Sequence, residues 1–222
     1  MTTTWKLPLD KKGNPTGNII TPMFRGSFVS VFEAKGIKGS PDSKKKYGLS
    51  MLFPADTDFG PLQKMIMEVA TAKWGPKAGE VLKKQQNGDK RIFKDQGEMA
   101  ERYAGFEEGC TYLSATNEQK PSVVGRKAGP DGTLIEIEDE EVFFSGCYAI
   151  ASIRPFAWEH PVGGKGVSLS LNHVQMIKTG ERLGGGRSKP SDEFEAWDED
   201  ETESMEETTV EPKKSTSSNP FG

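Results

Sequence analysis

The sequence predicts a mainly β protein: a small barrel with one prominent helix, followed by a disordered acidic C-terminal tail. Three observations predict it. Short segments rich in β-branched and aromatic residues alternate with period two, separated by turns drawn from 25 Gly and 14 Pro. One stretch, Asp58 to Trp74, has a sustained helical period. Beyond Pro190 the chain is acid, Ser and Thr, with too few large apolar side chains to offset the entropy of ordering it. Several strands with one strong helix suit a barrel better than a sandwich. Residues 22–187 read as one domain, preceded by an arm or loose hairpin (1–21) and followed by a tail (188–222).

Each element has its own signal. Phe24 to Glu33 alternates as a central strand, with Phe24, Gly26, Phe28, Ser30 and Phe32 on one side and Val29 and Val31 on the other. A basic Gly/Pro loop, Lys35 to Lys46, leads into a second strand, Tyr47 to Phe53. In the helix, Asp58 is the expected N-cap and Pro61 fits the first turn. Leu62, Ile66, Val69 and Lys73 follow one face, and Gly75-Pro76 is the stop. Residues 77–109 are polar and mixed, with a turn at Asn87-Gly88-Asp89. Cys110 to Ala115 reads as a short strand, 117–132 as loop, and Thr133 to Ile137 as a brief strand entering an acidic patch. Val142 to Trp158, bent at Gly146, pairs through a Gly163-Gly164 hairpin with Gly166 to Ile177.

Charge divides the chain more sharply than its net value of -4 shows. Residues 191–222 carry -9 and residues 1–190 carry +5. A basic body with an acidic end is the asymmetry associated with nucleic-acid binding, although a solvated surface with a solubilising tail gives the same numbers. Cys110 and Cys147 lie far apart without a CxxC spacing, which argues against a disulfide scaffold or a zinc site and for free thiols in a reducing compartment. The N-terminus has no apolar signal region and no stretch approaches a membrane span, so a cytoplasmic protein is expected.

The segment Cys147 to Trp158 carries the most chemistry. Its odd positions are apolar and mostly small. Its even positions are Tyr148, Ile150, Ser152, Arg154, Phe156 and Trp158, aromatics with a guanidinium between them, as a stacking platform for unpaired bases requires. The competing arrangement buries the aromatics and lets Arg154 snorkel at a rim. Arg25, Lys165 and the run Lys44-Lys45-Lys46-Tyr47 can follow a phosphate backbone. A tethered polyanion competes with DNA for such a groove, and Pro220-Phe221 places one aromatic at the tail's end as a partner anchor. Catalytic signals are thin. His160 and His173 are solitary, Gly184-Gly185-Gly186 has no following Lys-Ser/Thr, and Glu136, Glu138 and Glu140 form at most a metal-dependent nuclease's acidic set, with a solvated hairpin as the simpler reading.

Four segments occur in an order that resembles a known family: Arg25 to Phe32 (RGSFVSVF), Tyr47 to Pro54 (YGLSMLFP), Ser145 to Ala149 (SGCYA) and Lys165 to Asn172 (KGVSLSLN). With Gly180 to Gly186 (GERLGGG) and the acidic tail, they resemble the bacteriophage single-stranded-DNA-binding proteins with an OB-fold core. The resemblance spans roughly residues 20–195. It implies an OB-type Greek-key barrel, sequence-tolerant binding in phage replication or recombination, no catalysis, no cofactor and no metal. Bacterial single-strand binders similarly end in Pro-Phe and recruit replication enzymes. Here Lys213, Lys214 and a Ser/Thr run separate the acids from Pro220-Phe221, and Gly222 follows. The side chains expected at DNA are Arg25, Lys44, Lys45, Lys46, Tyr47, Tyr148, Arg154, Phe156, Trp158 and Lys165. The rival functions are a nuclease, or a protein whose tail recruits partners without nucleic-acid affinity.

Overall fold

Alternating strands that bury one face each close into a ring. The computed structural model describes residues 4–36, 44–162 and 164–184. In chain order the strands are β1 (Ile19–Ile20), β2 (Phe24–Lys35), β3 (Lys46–Phe53), β4 (Lys94–Asp95), β5 (Thr111–Asn117), β6 (Ser122–Ala128), β7 (Leu134–Glu136), β8 (Tyr148–His160) and β9 (Gly164–Lys178). The helices are α1 (Gly60–Trp74), α2 (Ala78–Gln86) and the single turn α3 (Gly97–Ala100). Strand β2 pairs antiparallel with β3, β3 with β5, β9 with β8, and β8 with β2. The join between β5 and β9 is parallel. Numbered in chain order, these five strands close 1-2-3-5-4-1, the circuit of an OB barrel.

Period two determines which side faces in. Along β8, Ala149, Ala151 and Ile153 are buried, preceded by buried Cys147, while Arg154 and Phe156 on the other parity are exposed. Val167, Leu169 and Leu171 of β9 complete that wall. Leu49, Met51 and Phe53 of β3 and Leu113 and Ala115 of β5 form the opposite wall. Helix α1 adds Leu62, Ile66 and Ala70 to the same core. Burying one such side chain contributes about 1.5–3 kcal/mol.

Several expectations change. Asp58 is not the N-cap: Phe59 occupies that position, and the Asp58 carboxylate accepts from the Gly60 N–H at 2.8 Å. Gly75 ends α1, but a 3-10 turn (Gly75–Lys77) leads directly into α2. The expected loop 117–132 contains β6, parallel to β9 on one side and antiparallel to β7 on the other. Its only buried apolar side chain is Val123, too little alternation to read in sequence. The strand expected from Val142 starts at Tyr148, because turns fill the preceding residues and Gly146 takes φ +123°. A Cβ on Gly146 would lie 2.0 Å from the Glu181 carbonyl oxygen. Phe28 leaves the face it was expected to share with Phe24: a bulge between Ser27 and Ser30 turns it outward, 45% exposed.

Residues 4–20 form a small hairpin, bridged at Leu9–Pro15 and Lys6–Ile20. Ile19 is fully buried, and the Trp5 indole donates to the Asp58 carbonyl at 2.6 Å. The tail expected at 188–222, with Pro220 and Phe221, lies outside the described residues. No helix among the described residues is long and apolar enough to cross a membrane.

Candidate nucleic-acid interface

In OB barrels, oligonucleotides bind across the second and third strands and the loops between strands 1–2 and 4–5. Here those are β3, β5, and the β2–β3 and β8–β9 connections. One cross-strand row crosses this outer face: Ser30 pairs with Gly48, Gly48 with Thr116, Thr116 with Ser170, and Ser170 with Arg154. At the usual strand spacing the row measures about 19 Å along the surface. Its side chains are small until Arg154, so the floor is shallow. Gly48 is required by close approach: a Cβ there would lie 2.8 Å from the Ala115 carbonyl oxygen and 2.9 Å from Thr116 Cγ2. The Ser30 hydroxyl donates to the Gly48 carbonyl at 3.0 Å, and the Asn117 amide donates to the Ser170 hydroxyl at 3.2 Å.

Cations line the β2–β3 side. Lys35 pairs across from Lys46, and Lys44 and Lys46 both reach Glu118, at 3.7 and 3.8 Å. These exposed pairs are worth about 0–1 kcal/mol and exchange readily for phosphate. Lys45 is exposed beside them, while Tyr47 is half-buried opposite Asn117. At the other end, the Arg154 guanidinium stays exposed but oriented, donating from Nε to Asn18 Oδ1 at 2.9 Å and from Nη2 to the Thr16 carbonyl at 2.6 Å. Phe156, two residues further on the same face, is 42% exposed and pairs with Ser168.

The remaining expected residues form two separate groups. Arg25 and Tyr148 are cross-strand neighbours, and the guanidinium carbon lies 5.9 Å from the ring centroid. Lys178 Nζ approaches the same ring at 4.4 Å, and Arg25 also donates to the Glu181 carbonyl at 3.0 Å. Trp158 and Lys165 instead line a cleft of about 970 Å³ between α2 and the β8–β9 turn. Lys90 Nζ sits 4.9 Å over the Trp158 ring, whose buried Nε1 has no hydrogen-bond partner among the described residues. The stacking strand read as one platform is thus three stations along a twisted strand. Tyr148 and Arg154 alone are about 20 Å apart.

Sequence reasoning missed what residues 77–109 contribute. Two glutamine amides attach this segment to the barrel, and a third closes the segment on itself. Gln85 acts as a strand edge for Val167, accepting its N–H at 2.8 Å and donating to its carbonyl at 2.7 Å. Gln86 donates to the Phe93 carbonyl, and Gln96 donates to the Phe53 and Thr111 carbonyls, both at 2.9 Å. The segment then places Phe106 and Tyr103 beside Phe28, with ring centroids 5.9 and 4.9 Å away. Lys94 Nζ donates to the Ser114 hydroxyl at 3.3 Å and lies 5.3 Å from the Tyr112 ring. Burial, and then the neighbouring Arg91, hold the Lys94 ammonium below its ordinary pKa. Burial chiefly pushes the Tyr112 phenol up, with Glu98 adding to it and Arg91 opposing. The usable signal was Tyr103 and Phe106 standing alone in a polar stretch. Glu136, Glu138 and Glu140 do not converge, and among the described residues no group of three metal-ligating side chains forms.

Comparison with known proteins bears on the family and the fold. A family model described as Enterobacter phage Enc34, ssDNA-binding protein, matches residues 17–205. Protein p50 of Acyrthosiphon pisum secondary endosymbiont phage 1 is 31% identical over 174 residues, covering 77% of this chain and 89% of p50. A C-terminal truncation of the single-stranded DNA-binding protein from bacteriophage Enc34 superposes with a TM-score of 0.55 at 25% identity, covering 80% of this chain and 97% of that one. The same protein in complex with ssDNA gives a TM-score of 0.53 at 23% identity, over 75% of this chain and 89% of that one. The chain belongs to the single-stranded-DNA-binding protein family of Enterobacter phage Enc34.

Proposed function

We propose that this protein coats transient single-stranded DNA during phage replication or recombination, without sequence preference and without catalysing a reaction. The cross-strand row Ser30–Gly48–Thr116–Ser170–Arg154 carries this reading. It offers a shallow floor with a lysine rim at one end and an oriented arginine at the other. It presents no set of base-edge readers, so contacts go to phosphates and ring faces, which all sequences share. Lys44, Lys45, Lys46 and Arg154 hold phosphates along the row, with Tyr47 and Phe156 beside it. Arg25 with Tyr148, and Trp158 with Lys165, extend the contact at the two ends of β8. Pro220 and Phe221 are the proposed partner contact.

Anisotropy titration of labelled oligo-dT against the matched duplex tests the reading. Binding of the single strand that weakens steeply with salt, with the duplex bound far less tightly, is expected. No single-strand binding at low salt would overturn it.

A further inference from the structure

Phe28 takes φ 48°, and among the described residues no other non-glycine residue has a positive φ. That region disfavours a bulky L side chain, and glycine occupies it without penalty. Phe28 belongs to neither buried cluster, and although it packs against Tyr103 and Phe106 it stays 45% exposed. The bulge that imposes this φ is also what turns the ring out of the barrel. Disfavoured backbone retained at an exposed aromatic is a pattern associated with functional sites.

The neighbours form a platform. Tyr103, 43% exposed, meets Phe28 edge-on at 4.9 Å and 80°. Phe106 supports both rings from below, at 5.9 and 6.3 Å, and rests on Tyr112 at 5.3 Å. Phe28 therefore has a fixed ring orientation and an open side. It lies two residues along β2 from Ser30, where the small-residue row begins. Phe156 is likewise two residues from Arg154, where that row ends.

We propose that Phe28, held by Tyr103, stacks one unpaired nucleobase where the single strand leaves the Ser30 end of the row. This rests on the single-stranded-DNA reading above. A single strand is the fitting occupant because the open ring lies two residues along β2 from Ser30 and its floor of small and hydroxyl side chains, matching a strand whose base faces are uncovered. A duplex keeps its base faces covered.

The test uses the full chain and labelled oligo-dT over a salt series. Phe28→Gly keeps the positive φ and should fold, which circular dichroism verifies. Its affinity should fall about five- to a hundredfold, the range of one lost base stack. The slope of log affinity on log salt should not change, because no phosphate contact is lost. Phe28→Trp should bind nearly as tightly as the parent, and oligo-dT should quench its added indole fluorescence. Parent-like affinity in folded Phe28→Gly, or no quenching of Phe28→Trp at saturation, would overturn the stacking site while leaving the functional reading standing. Failure of the parent chain itself to bind oligo-dT would remove both.

Discussion

The β8–β9 hairpin and the segment 77–109 both support the outer face of the barrel, by opposite physical means. The hairpin is periodic: thirteen residues of β8 bury every second side chain up to Pro155, and β9 pairs along their whole length with two single-residue shifts. Its stability is spread over many equivalent apolar contacts. The 77–109 segment has little periodic character beyond α2 and depends on particular amides: Gln85 and Gln96 satisfy backbone groups of barrel strands, and Gln86 those of the segment's own Phe93. A periodic element is stabilised by its average composition, whereas a segment held by single hydrogen-bonding side chains depends on individual residues.

The largest expected effect lies in the hairpin. Ile153→Ala removes a fully buried side chain and should cost about 2–5 kcal/mol in urea denaturation, with the whole barrel unfolding in one transition. Gly48→Ala comes next. Its Cβ would press on Ala115 and Thr116 between β3 and β5, at about 1–3 kcal/mol. Gln96→Ala should cost a similar 1–3 kcal/mol, but with a different signature. Faster amide exchange confined to residues 94–109 is expected, and exchange that speeds equally in β8 would erase the contrast between the two regions. Arg182→Ala should change stability by only about 0–1 kcal/mol, because its 2.7 Å pair with Glu141 is exposed.

The same contrast explains what the sequence made legible. The strands at 24–33, 47–53, 110–115 and 166–177, the inward parity of Cys147 to Ile153 and the first turns of the α1 face were readable, because each repeats one pattern over several residues; beyond Ile66 the buried side chain is Ala70, and the expected Lys73 is exposed. Phe28 was not, because period-two reasoning assumes an unbroken register, and one inserted residue reverses it. Strand β6 and the glutamine contacts were not, because their partners lie far along the chain: Val124 pairs with Gln175, and Gln96 bonds Phe53. Of the expected site, Lys44 to Lys46, Arg154 and Phe156 lie on or beside one row. Tyr148 and Trp158 were grouped with them only because a strand printed as a line hides its length and twist. The row itself was not visible, since Ser30, Gly48, Thr116 and Ser170 gain meaning only when four strands lie side by side.

A paired substitution shows whether single-stranded DNA crosses the barrel along the row. Thr116 is exposed at its middle, and Met67 is exposed on α1. A carboxylate at the first should repel a passing phosphate backbone, whereas one at the second should not meet it. Oligo-dT titrations at one salt concentration should show Thr116→Glu weakened at least about tenfold and Met67→Glu unchanged, with both variants folded. Equal affinities for the two would contradict the account and place the DNA elsewhere on the barrel.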